Sequence, residues 1–255
     1  MKELDKPAKK NTNHKKYFIF AIIFAILAVA FTATVKYVDV RNLEPVIQCA
    51  KTKNENAIDG CSRVETRIGL ANINESVRNL FSYNEQGINP TWDKITDVAA
   101  AIIFATAAYF VILGIVQLVR RKSLKKVDCE LKLLAVFYLA VVAIYVVFEK
   151  ILIINHRPVL MDGILEASYP SSHALFALAL AGSAILLTRN YLRPKFTTLI
   201  NLAIALLALI VTFGRLLAGV HWFTDIVGSI FISAFLVSAL AAAIGYAREK
   251  TLAKK

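Results

Sequence analysis

Apolar residues fall in six long runs, near 17–36, 96–119, 131–149, 172–188, 196–214 and 222–246. A helix needs roughly 20 such residues to cross the hydrocarbon core of a bilayer, so each run predicts a membrane-spanning helix. Polar positions are confined to short stretches between the runs, with one exception. Residues 37–92 are mixed, with acidic and basic side chains nearly balanced, and there Leu70, Ile73, Val77, Leu80 and Phe81 recur at helical spacing. That spacing predicts an amphipathic helix packed on the membrane surface or across the end of the bundle. The fold expected is all-α: a single integral membrane bundle of about six helices over residues 1–255, with 37–92 as an outer loop.

The lysine-rich start resembles the head of a signal peptide, but the run behind it is longer than the roughly 7–15 apolar residues of a cleavable core. It therefore reads as a retained span. Composition agrees: 57% of the residues are hydrophobic and mean hydropathy is +0.58, outside the range of an ordinary soluble domain. The net charge of +12 changes the picture through its placement. Lys2, Lys6, Lys9, Lys10, Lys15 and Lys16 precede the first span, and Arg120, Arg121, Lys122, Lys125 and Lys126 separate the second from the third. Arg189, Arg193 and Lys195 separate the fourth from the fifth, and Arg248, Lys250, Lys254 and Lys255 follow the last. All these clusters fall on one side, which the positive-inside rule makes the cytoplasm of a plasma membrane. Anionic lipid headgroups at that face are the expected partners of the charge, rather than nucleic acid. The sequence does not speak to oligomeric state.

Cys49 and Cys61 lie in the outer loop, where a disulfide or two separate thiols are both open, whereas Cys129 lies near the inner face as a free thiol. Asn74-Glu75-Ser76 has the pattern of a glycosylation acceptor. Trp92 and Trp222 stand where spans meet the outer interface, the usual place of amphipathic aromatics.

Ionisable residues inside apolar runs cost about 2.5–3.5 kcal/mol each near the bilayer centre, so they mark function or a membrane edge. The stretch from Phe213 to Gly228 holds Arg215, His221 and Asp225. His221 and Asp225 are four apart, on one face of a helix, where a carboxylate sets the tautomer of an imidazole. Lys150 and Arg157 are seven apart and share a face if the third helix persists, with Pro158 ending it. Two aligned cations suit an anion with several oxygens. Ser171 and Ser172 predict the cap of the fourth helix, whose free N–H groups and hydroxyls cradle phosphate, with His173 in the first turn. Topology carries all these residues to the outer face. The combination reads as phosphoryl transfer: cations and a helix start neutralise phosphate oxygens, His221 backed by Asp225 attacks phosphorus, and His173 protonates the departing oxygen. Lys150, Arg157 and Arg215 already supply positive charge, and the candidate ligands are too few for zinc or magnesium, so no metal or other cofactor is expected.

Lys150 with six residues before Arg157-Pro158, then Pro170-Ser171-Ser172-His173, then Arg215 with five residues between it and His221 and three between His221 and Asp225, resembles the three-part signature of the type-2 phosphatidate phosphatase family. The resemblance covers roughly residues 90–247. It implies a metal-independent lipid phosphatase with a phosphohistidine intermediate. His221 is then the nucleophile, Asp225 its partner and His173 the general acid, while Lys150, Arg157, Ser171 and Arg215 bind phosphate. Two positions depart from the family pattern: Ser172 stands for the usual glycine and Gly214 for the usual serine. They put substrate preference in doubt and remove no catalytic side chain. The family acts on undecaprenyl diphosphate, phosphatidylglycerol phosphate and phosphatidate, and undecaprenyl diphosphate is the favoured substrate for a short basic chain of bacterial appearance. A phosphotransferase using the same phosphohistidine, and a non-catalytic lipid-binding or transport protein, are the alternatives.

Overall fold

The computed structural model describes residues 14–49, 61–85, 87–161 and 164–253. The lysines at 2, 6, 9, 10, 254 and 255 lie outside it, as do the side chains of 44–49 and 61–65. The described chain forms α1 (His14–Tyr37), a hairpin of β1 (Arg41–Cys49) and β2 (Cys61–Ile68), α2 (Ala71–Arg78), α3 (Pro90–Arg121), α4 (Cys129–Val146), α5 (Ser172–Tyr191), α6 (Pro194–Leu217) and α7 (Phe223–Leu252). Among the described residues six helices are long and apolar enough to cross a membrane, and they match the six apolar runs to within a few residues. This is a multi-pass membrane protein.

Amino-acid size decides which helix sits in the middle. α5 has a mean hydropathy of 1.4 against 2.3 to 2.7 for the other five, yet it is the most buried of them. Lipid favours large apolar side chains outside, whereas close helix packing favours small residues inside, and α5 is rich in alanine. It packs against α3, α4, α6 and α7, and α1 lies along α7. At Gly182 an added Cβ would come within 2.7 Å of Val237 on α7. The hydroxyls of Ser183 and Thr188 are satisfied locally, donating to the carbonyls of Leu180 and Ile185.

Residues 37–92 differ from their expected form. They contain an antiparallel strand pair whose register runs from Arg41 opposite Ile68 to Cys49 opposite Cys61. The question of a disulfide there falls on side chains outside the description. The ladder is irregular between Leu43 and Val46, where Pro45 has no N–H to donate. A helix does follow, but its apolar stripe is not its packing face: Ile73 and Leu80 are exposed, and Ala71 and Asn74 are buried.

At the other end of the bundle polar side chains tie the helices together. Asp128, at the start of α4, accepts hydrogen bonds from Gln117 at 2.7 Å, Arg121 at 2.8 Å and Tyr191 at 3.2 Å. Arg248 on α7 donates to Glu130 on α4 at 3.0 Å, and His14 on α1 lies 2.7 Å from Glu249.

Candidate active site

Three parts of the chain meet at the hairpin end: the connection from α4 to α5, the corner between α6 and α7, and the first turns of α3. The corner comes first because the others close around it. α6 stops at Leu217, and Gly219 turns the chain with a φ of +78°, a conformation open to glycine, while an added Cβ would meet Gly87 and Tyr83 at 2.6 Å. Arg78 of α2 locks the turn by donating to the carbonyls of Gly219 at 2.6 Å and Gly87 at 2.9 Å. α7 then begins at Phe223, which puts Asp225 at its third position. There Oδ2 accepts from the Trp222 backbone N–H at 2.9 Å, one half of a capping box.

His221 is 2% exposed, so it lies beneath the surface rather than at the rim. Its Nδ1 is 3.5 Å from Asp225 Oδ2, and its Nε2 is 3.1 Å from Nη1 of Arg157. A guanidinium has no acceptor, so Nε2 must offer its lone pair and the proton resides on Nδ1, facing the carboxylate. That tautomer is the one able to attack through Nε2. Burial above all, with the charges of Arg157, Arg215 and His173, pushes this imidazole well below its ordinary value and keeps it neutral.

Asp225 is fully buried, and its second oxygen accepts from Asn155 at 3.1 Å. Asn155 also donates to Thr224 at 3.2 Å and accepts from the backbone N–H of Gly69 at 2.8 Å. Asn74 completes the layer, donating to Thr224 Oγ1 at 2.9 Å and accepting from its N–H at 3.0 Å. With Asn74 1% exposed and its amide engaged, the glycosylation reading of Asn74-Glu75-Ser76 is overturned. Trp222 is likewise not an interface residue: it is 5% exposed and its indole donates to the His156 carbonyl at 2.8 Å.

The α4 helix does not persist to Arg157. It passes into a π turn over Val147–Ile151, and the chain then folds back on itself, with Arg157 N–H donating to Glu166 at 3.0 Å and Ser168 N–H to Asn155 at 2.9 Å. This ladder, not helical periodicity, delivers Arg157 to His221. Its guanidinium also donates to Val220 at 3.3 Å, and its Nε lies 3.0 Å from Glu166 Oε2. Lys150 stands apart in the π turn, its side chain 73% exposed and its ammonium 3.7 Å from Glu149. Ser171 caps α5 as the sequence predicts, accepting from Ala174 at 3.5 Å, and its own N–H donates to the Asp225 carbonyl at 3.2 Å. Ser172 follows as the half-buried first residue of α5.

Arg215 is 2% exposed, and its Nη1 donates to Asp93 at 2.7 Å, Thr96 at 3.2 Å and Asp97 at 3.3 Å, all on α3. Asp97 Oδ1 is also 3.4 Å from His173 Nε2. Gly214 explains this proximity, because an added Cβ would sit 2.3 Å from Thr96. Arg215 Nε and His173 Nδ1 are buried without a hydrogen-bond partner among the described residues. Arg157, Arg215, His173 and His221 thus lie within reach of one another's charge, with donors left unspent, a match for a multiply charged anion. The sequence does not single out Glu166, Asn155, Asp93 or Asp97. The aspartates carry a signal, two acids one helical turn apart at the mouth of an apolar run. Asn155 and Glu166 carry none.

Residues 132–249 match the PAP2 superfamily. That segment holds every predicted site residue from Lys150 to Asp225, and Asp93 and Asp97 precede it. No curated protein matches the chain. Among solved structures the chain is similar to a transmembrane PAP2 type phosphatidylglycerolphosphate phosphatase from Bacillus subtilis, at 19% identity and a TM-score of 0.51, over 88% of this chain and 94% of that one. At that identity the likeness is one of fold.

Proposed function

We propose that this chain, whose residues 132–249 match the PAP2 superfamily, is a membrane lipid phosphatase acting through a phosphohistidine on His221. The observation that supports it best is the tautomer: Nε2 presents its lone pair beside Arg157 while Nδ1–H faces buried Asp225. The lipid phosphate takes over the Nη1 donor of Arg157, meets Arg215 and the first N–H groups of α5, and so exposes Nε2. Nitrogen attacks phosphorus as the bond from phosphorus to the lipid oxygen breaks, and His173 gives that oxygen its proton. Asp225 stabilises the imidazole as it becomes cationic. Water, losing a proton to His173, then attacks the phosphohistidine; inorganic phosphate leaves and His221 is restored. With a diphosphate the departing group is the lipid monophosphate.

Charge neutralisation falls to the two buried arginines, with Lys150 as an outlying cation that steers the headgroup, and no metal takes part. The site opens to the outer leaflet, and the cationic end of the bundle faces anionic lipid in the cytoplasm. The test is phosphate release in detergent with EDTA from undecaprenyl diphosphate, phosphatidylglycerol phosphate and phosphatidate. Release from at least one, with undecaprenyl diphosphate favoured, is expected. Silence on all three overturns the phosphatase, and loss of activity in the chelator overturns the metal-free mechanism alone.

A further inference from the structure

Asp93 and Asp97 occupy one face of α3, outside the matched segment, and no step of the proposed phosphoryl transfer uses them. Both aim at the cation that has to receive the substrate. Their contacts are unequal. Asp93 is the tight partner of Arg215 at 2.7 Å, with a side chain 28% exposed. Asp97 is 56% exposed and makes two looser contacts, 3.3 Å to Arg215 and 3.4 Å to His173 Nε2. Meanwhile Arg215 Nε is buried and unpartnered among the described residues, an open edge on a guanidinium already pinned at Nη1.

We propose that Asp97 is the built-in counter-anion of the phosphate site: it holds Arg215 and His173 before substrate arrives, yields them to the lipid phosphate, and retakes them to expel inorganic phosphate. Asp93 is the fixed anchor that keeps Arg215 in place throughout. A carboxylate and a phosphate dianion repel each other across a shared cation, so whichever is bound weakens the other. Asp97 suits the exchange because its contacts are long and water reaches it. His173 has to leave Asp97 before it can serve the departing oxygen, which ties the acid's release to substrate binding. Gly214 permits the device, since a side chain there would meet Thr96 at 2.3 Å and push α3 and its aspartates away from Arg215.

This inference rests on the phosphatase reading, and one experiment separates the two. Inorganic phosphate is titrated as an inhibitor of lipid phosphate hydrolysis near pH 7 with wild type, Asp97→Asn and Asp97→Glu. The asparagine variant is expected to bind phosphate about tenfold more tightly and to turn over more slowly at saturation, while the glutamate variant stays near wild type. Tighter product binding is not what a merely structural defect produces. Unchanged or weaker inhibition of Asp97→Asn, with wild type active, overturns the proposal. A wild type that neither hydrolyses the lipid nor responds to phosphate overturns the functional reading instead.

Discussion

The two ends of the bundle both carry arginine, aspartate and aromatic side chains, but they use them differently. Around Asp128 the donors and acceptors match: Gln117, Arg121 and Tyr191 converge on one carboxylate and join α3, α4 and α5. Around His221 they do not. Arg215 Nε and His173 Nδ1 are buried without partners among the described residues, and Arg157 spends a donor on His221 itself. An unsatisfied buried polar group costs about 1–3 kcal/mol, so the hairpin end sacrifices stability to keep donors ready for an anion. The same residue types make a staple when their hydrogen bonds close and a site when they stay open.

Removing the proposed nucleophile is the largest expected break in that contrast. His221→Ala should reduce lipid phosphate hydrolysis by about 10⁴-fold or more while leaving the apparent melting temperature in detergent near wild type. Next is Asn155→Ala, which frees one oxygen of Asp225. A misplaced carboxylate should lower kcat by about 10²-fold with little change in KM, read from steady-state kinetics. At the stapled end the signature inverts: Asp128→Ala should cost about 1–3 kcal/mol of stability, seen in thermal unfolding, with turnover per folded molecule unchanged.

Acid sharpens the comparison. His221, neutral because of burial and its cationic neighbours, and His156, depressed by burial and by Arg67, bind protons less readily folded than unfolded. Their end should lose stability as pH falls below about 6.5, the ordinary imidazole value, and His221→Asn should weaken that loss. Burial would raise the Asp128 carboxyl, but hydrogen bonds from Gln117 and Arg121, the Arg121 charge and Tyr191 hold it below its usual value. Its contribution should persist until pH drops below about 4, which unfolding of Asp128→Ala across pH 3–7 would expose. The smallest effect expected is that of Lys150→Ala, a rise of about threefold in KM, because its ammonium is exposed and screened.

Much of this contrast is legible in the order of residues along the chain. Spans follow from runs of apolar residues, a local property, and the helix start at Ser171 and Ser172 follows from capping chemistry that reaches only three residues. The His221 and Asp225 pair is visible from its short spacing, but the two do not share a helix face: His221 sits in the turn before α7 and Asp225 in its first turn. Periodicity misleads on the approach of Arg157, because helical spacing from Lys150 presumes a helix that the π turn ends. Asn74 and Trp222 look exposed in sequence because their partners, Thr224 and the His156 carbonyl, lie 150 and 66 residues away.

By itself, then, the sequence determined six spans and pointed to His173, Arg215, His221 and Asp225 as residues that gather at one end of the bundle. Tertiary structure alone decided which nitrogen of His221 meets Arg157, that Asn155 steadies Asp225, and that α3 sets two aspartates against Arg215. The division has a physical cause. Burial preference and helix capping act between near neighbours and leave a periodic trace, whereas tautomers and counter-ions depend on contacts across α3, α6 and the α4 to α5 connection, where spacing along the chain says nothing about distance.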